Sequence, residues 1–148
     1  MKKLVFPLCL VALFFLFSCE EEKYADWKIL NEQWLQAHKS DSGFVCTQSG
    51  LCYKVIHQGY DRRPNPYSWV SVQYKGYLID STLFERGMYE YYLSNAIQGW
   101  IEGITKMNGG GTYIFYIPSS LAYGKDGSGQ IPPYSTLIYE ITLLSSTY

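Results

Sequence analysis

Along the last hundred positions of the chain, apolar residues alternate more often than they recur at helical spacing. Val70, Val72, Tyr74, Gly76 and Leu78 fall on one face and Ser71, Gln73 and Lys75 on the other, the period-two pattern of a half-buried strand over residues 69–79. Residues 51–56 predict a shorter strand that ends at Gln58 and Gly59, and residues 61–66 a loop in which Pro64 and Pro66 remove backbone donors. A further strand is expected over residues 89–93, and two more over 112–117 and 136–144, separated by a glycine-rich loop. Between these strands Ile97, Trp100, Ile101, Ile104 and Met107 form the apolar side of a short helix. Asn95 and Gln98 have the spacing of a capping box, and Asn108 with Gly109 predicts a left-handed end. The order strands, helix, strand, loop, strand implies an α+β domain, a mostly antiparallel, strongly twisted sheet wrapped around one short helix.

Ahead of this domain Trp27, Leu30, Trp34, Leu35 and His38 recur at helical spacing, with Asp26 placed to cap the start and residues 40–43 to stop the run. An amphipathic helix of about three turns is expected. Its tryptophan face either packs on the domain or joins two chains as a homodimer; His38 is a boundary residue without an assigned role.

The first residues read differently. Lys2 and Lys3 precede an apolar run over residues 4–17, too short to span a bilayer but suited to a signal peptide. Ser18 followed by Cys19 resembles the lipobox of bacterial lipoproteins, although Phe17 is bulkier than usual there. In that family the cysteine becomes the mature N-terminus and carries lipid. The expected organisation is a signal peptide at 1–18, a tether and helix at 19–48, with Glu20, Glu21 and Glu22 as the acidic start, and the domain at 49–148. The protein would be exported and held to the bacterial envelope at the outer membrane through Cys19, each buried methylene contributing about 0.8 kcal/mol. Cys9 leaves with the leader, so Cys46 and Cys52 remain, flanking a turn that contains Ser49 and Gly50. In an oxidising compartment they form a disulfide; otherwise they are small apolar strand residues kept reduced.

Composition narrows the chemistry. A formal charge of −1 gives no footprint for nucleic acid. Two histidines leave little for a metal or a histidine-based triad, so no cofactor is expected. The glycines at 109–111 and 124–129 lack the Gly-Lys-Ser/Thr ending of a phosphate loop. Nothing fixes Asp80, Glu85 and Glu102 together as an acid pair. What stands out is the density of aromatic and apolar residues over 97–141, set among glycines and prolines, with 15 tyrosines in the whole chain. That pattern predicts a small dry hollow, working by shape and desolvation.

The ordered set Val72, Tyr74, Gly76, Leu78, Phe84, Ile97, Gly99, Trp100, Glu102, Gly103 and Met107, continued by Ile117, Pro118, Leu121, Tyr123, Gly124, Ile131, Pro132, Pro133, Thr136 and Tyr139, resembles the FKBP-type peptidyl-prolyl isomerases. The resemblance covers about residues 49–144, and residues 49–54 are similar to the entry segment of exported bacterial members, including macrophage infectivity potentiator proteins. It implies a pocket with Trp100 as floor and Tyr74, Phe84, Ile97, Tyr123, Ile131 and Tyr139 as walls, with Tyr89 and Ala96 among the substrate contacts. The Ile97 N–H and the Tyr123 hydroxyl would bind substrate carbonyls, and Glu85 would orient or polarise a pocket group. The implied activity is cis–trans isomerisation of X-Pro bonds in client polypeptides. The alternative is a membrane-anchored peptide-binding module that keeps the fold with little turnover. The chain departs from the family at Glu85, where aspartate is usual, at Ser81 in place of a turn glycine, at Ala96 and at Tyr139. The Tyr139 hydroxyl needs a partner if it is buried.

Overall fold

A computed structural model describes residues 23–147; the leader, Cys19 and the acidic tether lie outside the described residues. Six strands form one sheet: β1 (Val45–Cys46), β2 (Cys52–His57), β3 (Trp69–Tyr77), β4 (Leu83–Tyr92), β5 (Thr112–Ile117) and β6 (Leu137–Thr147). Their spatial order is β1-β2-β5-β6-β3-β4, with every neighbouring pair antiparallel. Helix α1 (Ala25–His38) precedes the sheet, and α2 (Gln98–Ile104) lies between β4 and β5. The core forms where α2 meets the inward side chains of the sheet: Val70, Val72, Phe115, Ile117, Ile141, Leu143 and Ile104 are all fully buried.

β3 keeps its alternation at Val70, Val72, Gln73 and Lys75, but Ser71, expected on the outer face, is 7% exposed beside a register shift against β6, and its hydroxyl donates to Glu90 Oε1 at 3.2 Å. β4 starts at Leu83, six residues before the strand expected at 89–93. It is an edge strand, paired only with β3, so a run such as Glu85, Arg86 and Gly87 can belong to it without an apolar pattern. In the turn between β3 and β4, Ser81 adopts the left-handed conformation (φ 70°) for which glycine is usual. Asp80 Oδ1 accepts from the Thr82 N–H at 2.9 Å there.

α2 is held by packing more than by capping. Ile97 is the N-cap in an extended conformation, no side chain caps the helix, and Asn95 closes a 3-10 turn (Leu93–Asn95). The expected capping box is therefore not made. The helix stops at Ile104, and the next left-handed residue is Gly110 (φ 81°), not Gly109. Gly99 and Gly103 face β5 so closely that a Cβ on either would collide with Ile117 or Phe115. These glycines, each costing about 1 kcal/mol of helix propensity, let the helix backbone settle onto the sheet.

α1 turns Trp27, Asn31, Trp34, Leu35 and His38 inward, while Leu30 is 53% exposed and Asp26 sits in the first turn instead of at the cap. The Trp27 indole donates to Ser135 Oγ at 2.9 Å, and Asn31 Oδ1 accepts from the Thr136 N–H at 2.7 Å. Trp34 lies beside Tyr116 in a second cluster with Leu35 and Cys52. The half-buried tryptophan face thus packs on the chain's own domain. Cys46 and Cys52, partners across β1 and β2, are joined in a disulfide.

Candidate active site

The register of the three strands at the β4 end of the sheet explains how a hollow arises. Gly76 in β3 is opposite Glu85 in β4 on one side and Tyr139 in β6 on the other. A Cβ on Gly76 would come within 2.7 Å of the Phe84 and Tyr139 rings. With no side chain in the middle of the row, Tyr139 reaches across it and donates its hydroxyl hydrogen bond to Glu85 Oε1. Further along, Tyr74 is opposite Gly87, and Val72 is opposite Tyr89. Small residues in the rows leave room, and tyrosines surround it.

The result is a cavity of about 530 Å³. Trp100 of α2, 7% exposed, forms its floor. The rings of Tyr74, Tyr139 and Tyr91 lie 5.2, 5.0 and 6.0 Å from the indole, centroid to centroid. Glu85, Tyr89 and Tyr91 line it from β4, Asn95, Ala96 and Ile97 from the turn before α2, and Tyr123 from the loop after the 3-10 turn Ser119–Leu121. Ile97 caps α2, where backbone N–H groups lack partners within the helix.

The phenols are held protonated. Burial pushes Tyr139 far above the ordinary tyrosine value, and its hydrogen bond to Glu85 adds to the shift. Burial likewise raises Tyr91, with the neighbouring Tyr74 and Tyr89 contributing. Tyr74 and Tyr123 are raised first by burial and then by the Glu85 charge. At neutral pH all four are O–H donors. Two buried polar atoms of the cavity, the Tyr91 hydroxyl and the Trp100 Nε1, have no hydrogen-bond partner among the described residues.

Of the residues named from sequence, Tyr74, Glu85, Tyr89, Ala96, Ile97, Trp100, Tyr123 and Tyr139 come together around this cavity. Phe84 does not line it; it stands one layer back, edge-on to Tyr139 with centroids 5.6 Å apart. Ile131 does not line it either. Only 8% exposed, it belongs to a neighbouring hollow formed by the 125–134 loop and Tyr24. Cys46 and Cys52 are at the opposite edge of the sheet from β4. Sequence reasoning missed Tyr91, whose inward position follows from its two-residue spacing to Tyr89, and Asn95, which looked like a cap. Among the described residues no group of three or more His, Cys, Asp or Glu could hold a metal ion. The arrangement can strip water from an inserted apolar ring, seat it on the indole and present fixed N–H and O–H donors around it.

Residues 60–144 match the family described as FKBP-type peptidyl-prolyl cis-trans isomerase. The chain is 39% identical over 119 residues to a probable FKBP-type peptidyl-prolyl cis-trans isomerase FkpA of Neisseria meningitidis, covering 76% of this chain and 44% of that protein. It is 37% identical over 135 residues to the outer membrane protein MIP of Legionella longbeachae, covering 86% and 58%. The crystal structure of FkpA from Escherichia coli superposes with a TM-score of 0.84 at 29% identity, over 99% of this chain and 75% of that one. The chain spans about half the length of the curated relatives it matches.

Proposed function

The chain belongs to the FKBP-type peptidyl-prolyl cis-trans isomerase family, and on that premise we propose that it catalyses cis–trans isomerisation of X-Pro bonds in exported polypeptides. The observation that carries this reading is the indole floor ringed by protonated phenols. Rotation about an X-Pro bond takes tens to hundreds of seconds unaided, because amide resonance gives a barrier of about 18–20 kcal/mol. Water favours the planar, polar amide over the twisted one. A cavity that removes this water while its donors engage the flanking carbonyls lowers the barrier. Four to five decades of acceleration need about 6 kcal/mol, within the reach of desolvation and two hydrogen bonds, from the Ile97 N–H and the Tyr123 hydroxyl. Glu85 is engaged by Tyr139; its role is to hold that ring against the indole, and no proton transfer is required.

The leader at 1–18 and Cys19 place this activity, in our reading, on a lipid-anchored protein of the envelope. The similarity to a relative named as an outer membrane protein supports that placement.

The test is NMR exchange spectroscopy of a short X-Pro peptide with the protein. Wild type should raise the exchange rate by several decades, Trp100→Leu should lower kcat/KM by about a hundredfold (some 2.7 kcal/mol) and Tyr123→Phe by about tenfold, with circular dichroism confirming that both variants are folded. Binding without acceleration would replace the isomerase with a peptide-holding module, and neither binding nor acceleration would end both readings.

A further inference from the structure

The side-chain hydrogen bonds from α1 to the sheet domain converge on one turn. Trp27 Nε1 donates to Ser135 Oγ at 2.9 Å, Asn31 Oδ1 accepts from the Thr136 N–H at 2.7 Å, and the Lys28 ammonium stands 5.0 Å from the centre of the Tyr134 ring. Three consecutive residues are thus held from a helix that precedes the family-matched residues 60–144. Ser135 passes the grip on by donating to the Pro132 carbonyl at 2.8 Å. Asn31, 1% exposed, secures its own amide by donating to the Trp27 carbonyl at 2.8 Å. Packing alone would be served better by a leucine at 31, since a buried amide costs desolvation unless its bonds are made. The turn it serves is a strained one. Tyr134 has φ 63°, a left-handed conformation that a residue with a Cβ adopts at a cost and keeps only where its surroundings fix it.

That turn carries the position of α1 to the cavity. The Tyr134 N–H donates to the Gly124 carbonyl at 2.8 Å, and the Gly127 N–H to the Tyr123 carbonyl at 3.2 Å. Gly124 follows directly on Tyr123, which lines the cavity from a loop. A side chain on a strand is placed by its ladder; one on a loop needs other supports. Resting on the isomerase reading, we infer that Trp27 and Asn31 are positioning residues, which act through the 132–136 turn to hold the Tyr123 hydroxyl where a substrate carbonyl meets it. The helix then serves the reaction without touching substrate. Misplacing a group by about 1 Å can cost about a hundredfold in rate, so a support that never meets the reacting bond is still visible in turnover.

The experiment is a double-mutant cycle in kcat/KM, read by NMR exchange of one X-Pro peptide with the full chain. Trp27→Phe keeps an aromatic ring and removes the indole donor; Asn31→Ala removes the acceptor for the Thr136 N–H. Urea unfolding fixes conditions in which the variants are folded, and should Asn31→Ala not fold, Trp27→Phe decides. Each change should lower kcat/KM about fivefold in wild type and less than about twofold in Tyr123→Phe, where the hydroxyl to be positioned is gone. Asn31→Asp, which keeps an acceptor, should restore most of the rate. Exchange of the Tyr134 amide proton with D2O should quicken about tenfold in Trp27→Phe, the value of one hydrogen bond. Equal losses in both backgrounds overturn the inference, because α1 would then act on something other than Tyr123. A lower urea midpoint with unchanged kcat/KM, the mark of a purely structural helix, also overturns it, as does unchanged exchange at Tyr134. These three results leave the isomerase reading standing. No acceleration by wild type removes that reading and this inference together.

Discussion

Two tyrosines buried in the same cavity meet opposite conditions. Tyr139, 1% exposed, donates to the Glu85 carboxylate across the gap left by Gly76. Tyr91, 8% exposed, has a hydroxyl with no partner among the described residues. The first wall is complete before any substrate arrives, because its phenol, its acceptor and the space between them are set by one row of strand register. The second carries a desolvated hydroxyl on a ring packed against Trp100 and Tyr89. A satisfied buried hydroxyl rigidifies a pocket; an unsatisfied one is destabilising until something binds. The Glu85 side is thus fixed by strand register, and the Tyr91 side carries a buried hydroxyl that costs stability.

The largest predicted effect follows from what the two phenols share. Both are raised above the tyrosine value of 10.0 by burial, Tyr139 with the added bond to Glu85. Their protons are bound more tightly in the folded than in the unfolded chain. Below pH 10 both states hold them and stability is unaffected; above it the unfolded chain ionises first, so stability falls as pH rises. Each phenol contributes a loss of about 1.4 kcal/mol per pH unit over that window. Urea unfolding midpoints measured between pH 9 and 11 should be level to about 10 and then fall steeply, and Tyr139→Phe should reduce the slope. A level profile through pH 11 would show that these phenols ionise in place.

The paired side is broken next. Tyr139→Phe removes a hydrogen bond to a charged acceptor, worth roughly 1.5–3 kcal/mol. Glu85 is only partly buried, so water recovers part of that, and a loss of about 1.5 kcal/mol is expected. Glu85→Gln keeps an acceptor and should cost less. The two changes together should be less than additive, with a coupling of about 1 kcal/mol in a double-mutant cycle from urea unfolding. Additive losses would mean that the two groups stabilise the fold separately.

The comparison also marks how far the sequence could be read. β3, β5 and β6 were legible because a strand buried on one face must alternate, and Val70, Val72, Phe115 and Ile141 obey that rule. The start of β4 was not, since an edge strand with one partner tolerates Glu85 and Arg86. The ordered motifs located Trp100, Tyr74, Tyr123 and Tyr139 at the cavity. Phe84 stands behind Tyr139 and Ile131 lines a neighbouring hollow, because order along the chain carries neither depth nor lateral position. The Glu85–Tyr139 bond depends on both residues facing Gly76, a register relation between three strands that no single stretch of sequence contains. On α1, helical spacing marked Trp27, Trp34 and Leu35 correctly as the inward face but included Leu30 and passed over Asn31, whose buried amide serves the Thr136 backbone. A polar residue on an apolar stripe betrays its role only once its distant partner is known.

The smallest effect is also the one with an unusual sign. Most substitutions in a core destabilise, and Tyr139→Phe should do so. Tyr91→Phe makes the same chemical change less than a strand's length away and should not. The hydroxyl it removes is buried without a partner, and such a group costs about 1–3 kcal/mol. The ring itself, packed against Trp100 and Tyr89, is kept. Some of the gain is offset by the void left where the oxygen was, since even a small cavity forfeits contacts. A net stabilisation of about 1 kcal/mol in urea unfolding is expected. The opposite sign would mean that the hydroxyl is bonded in solution.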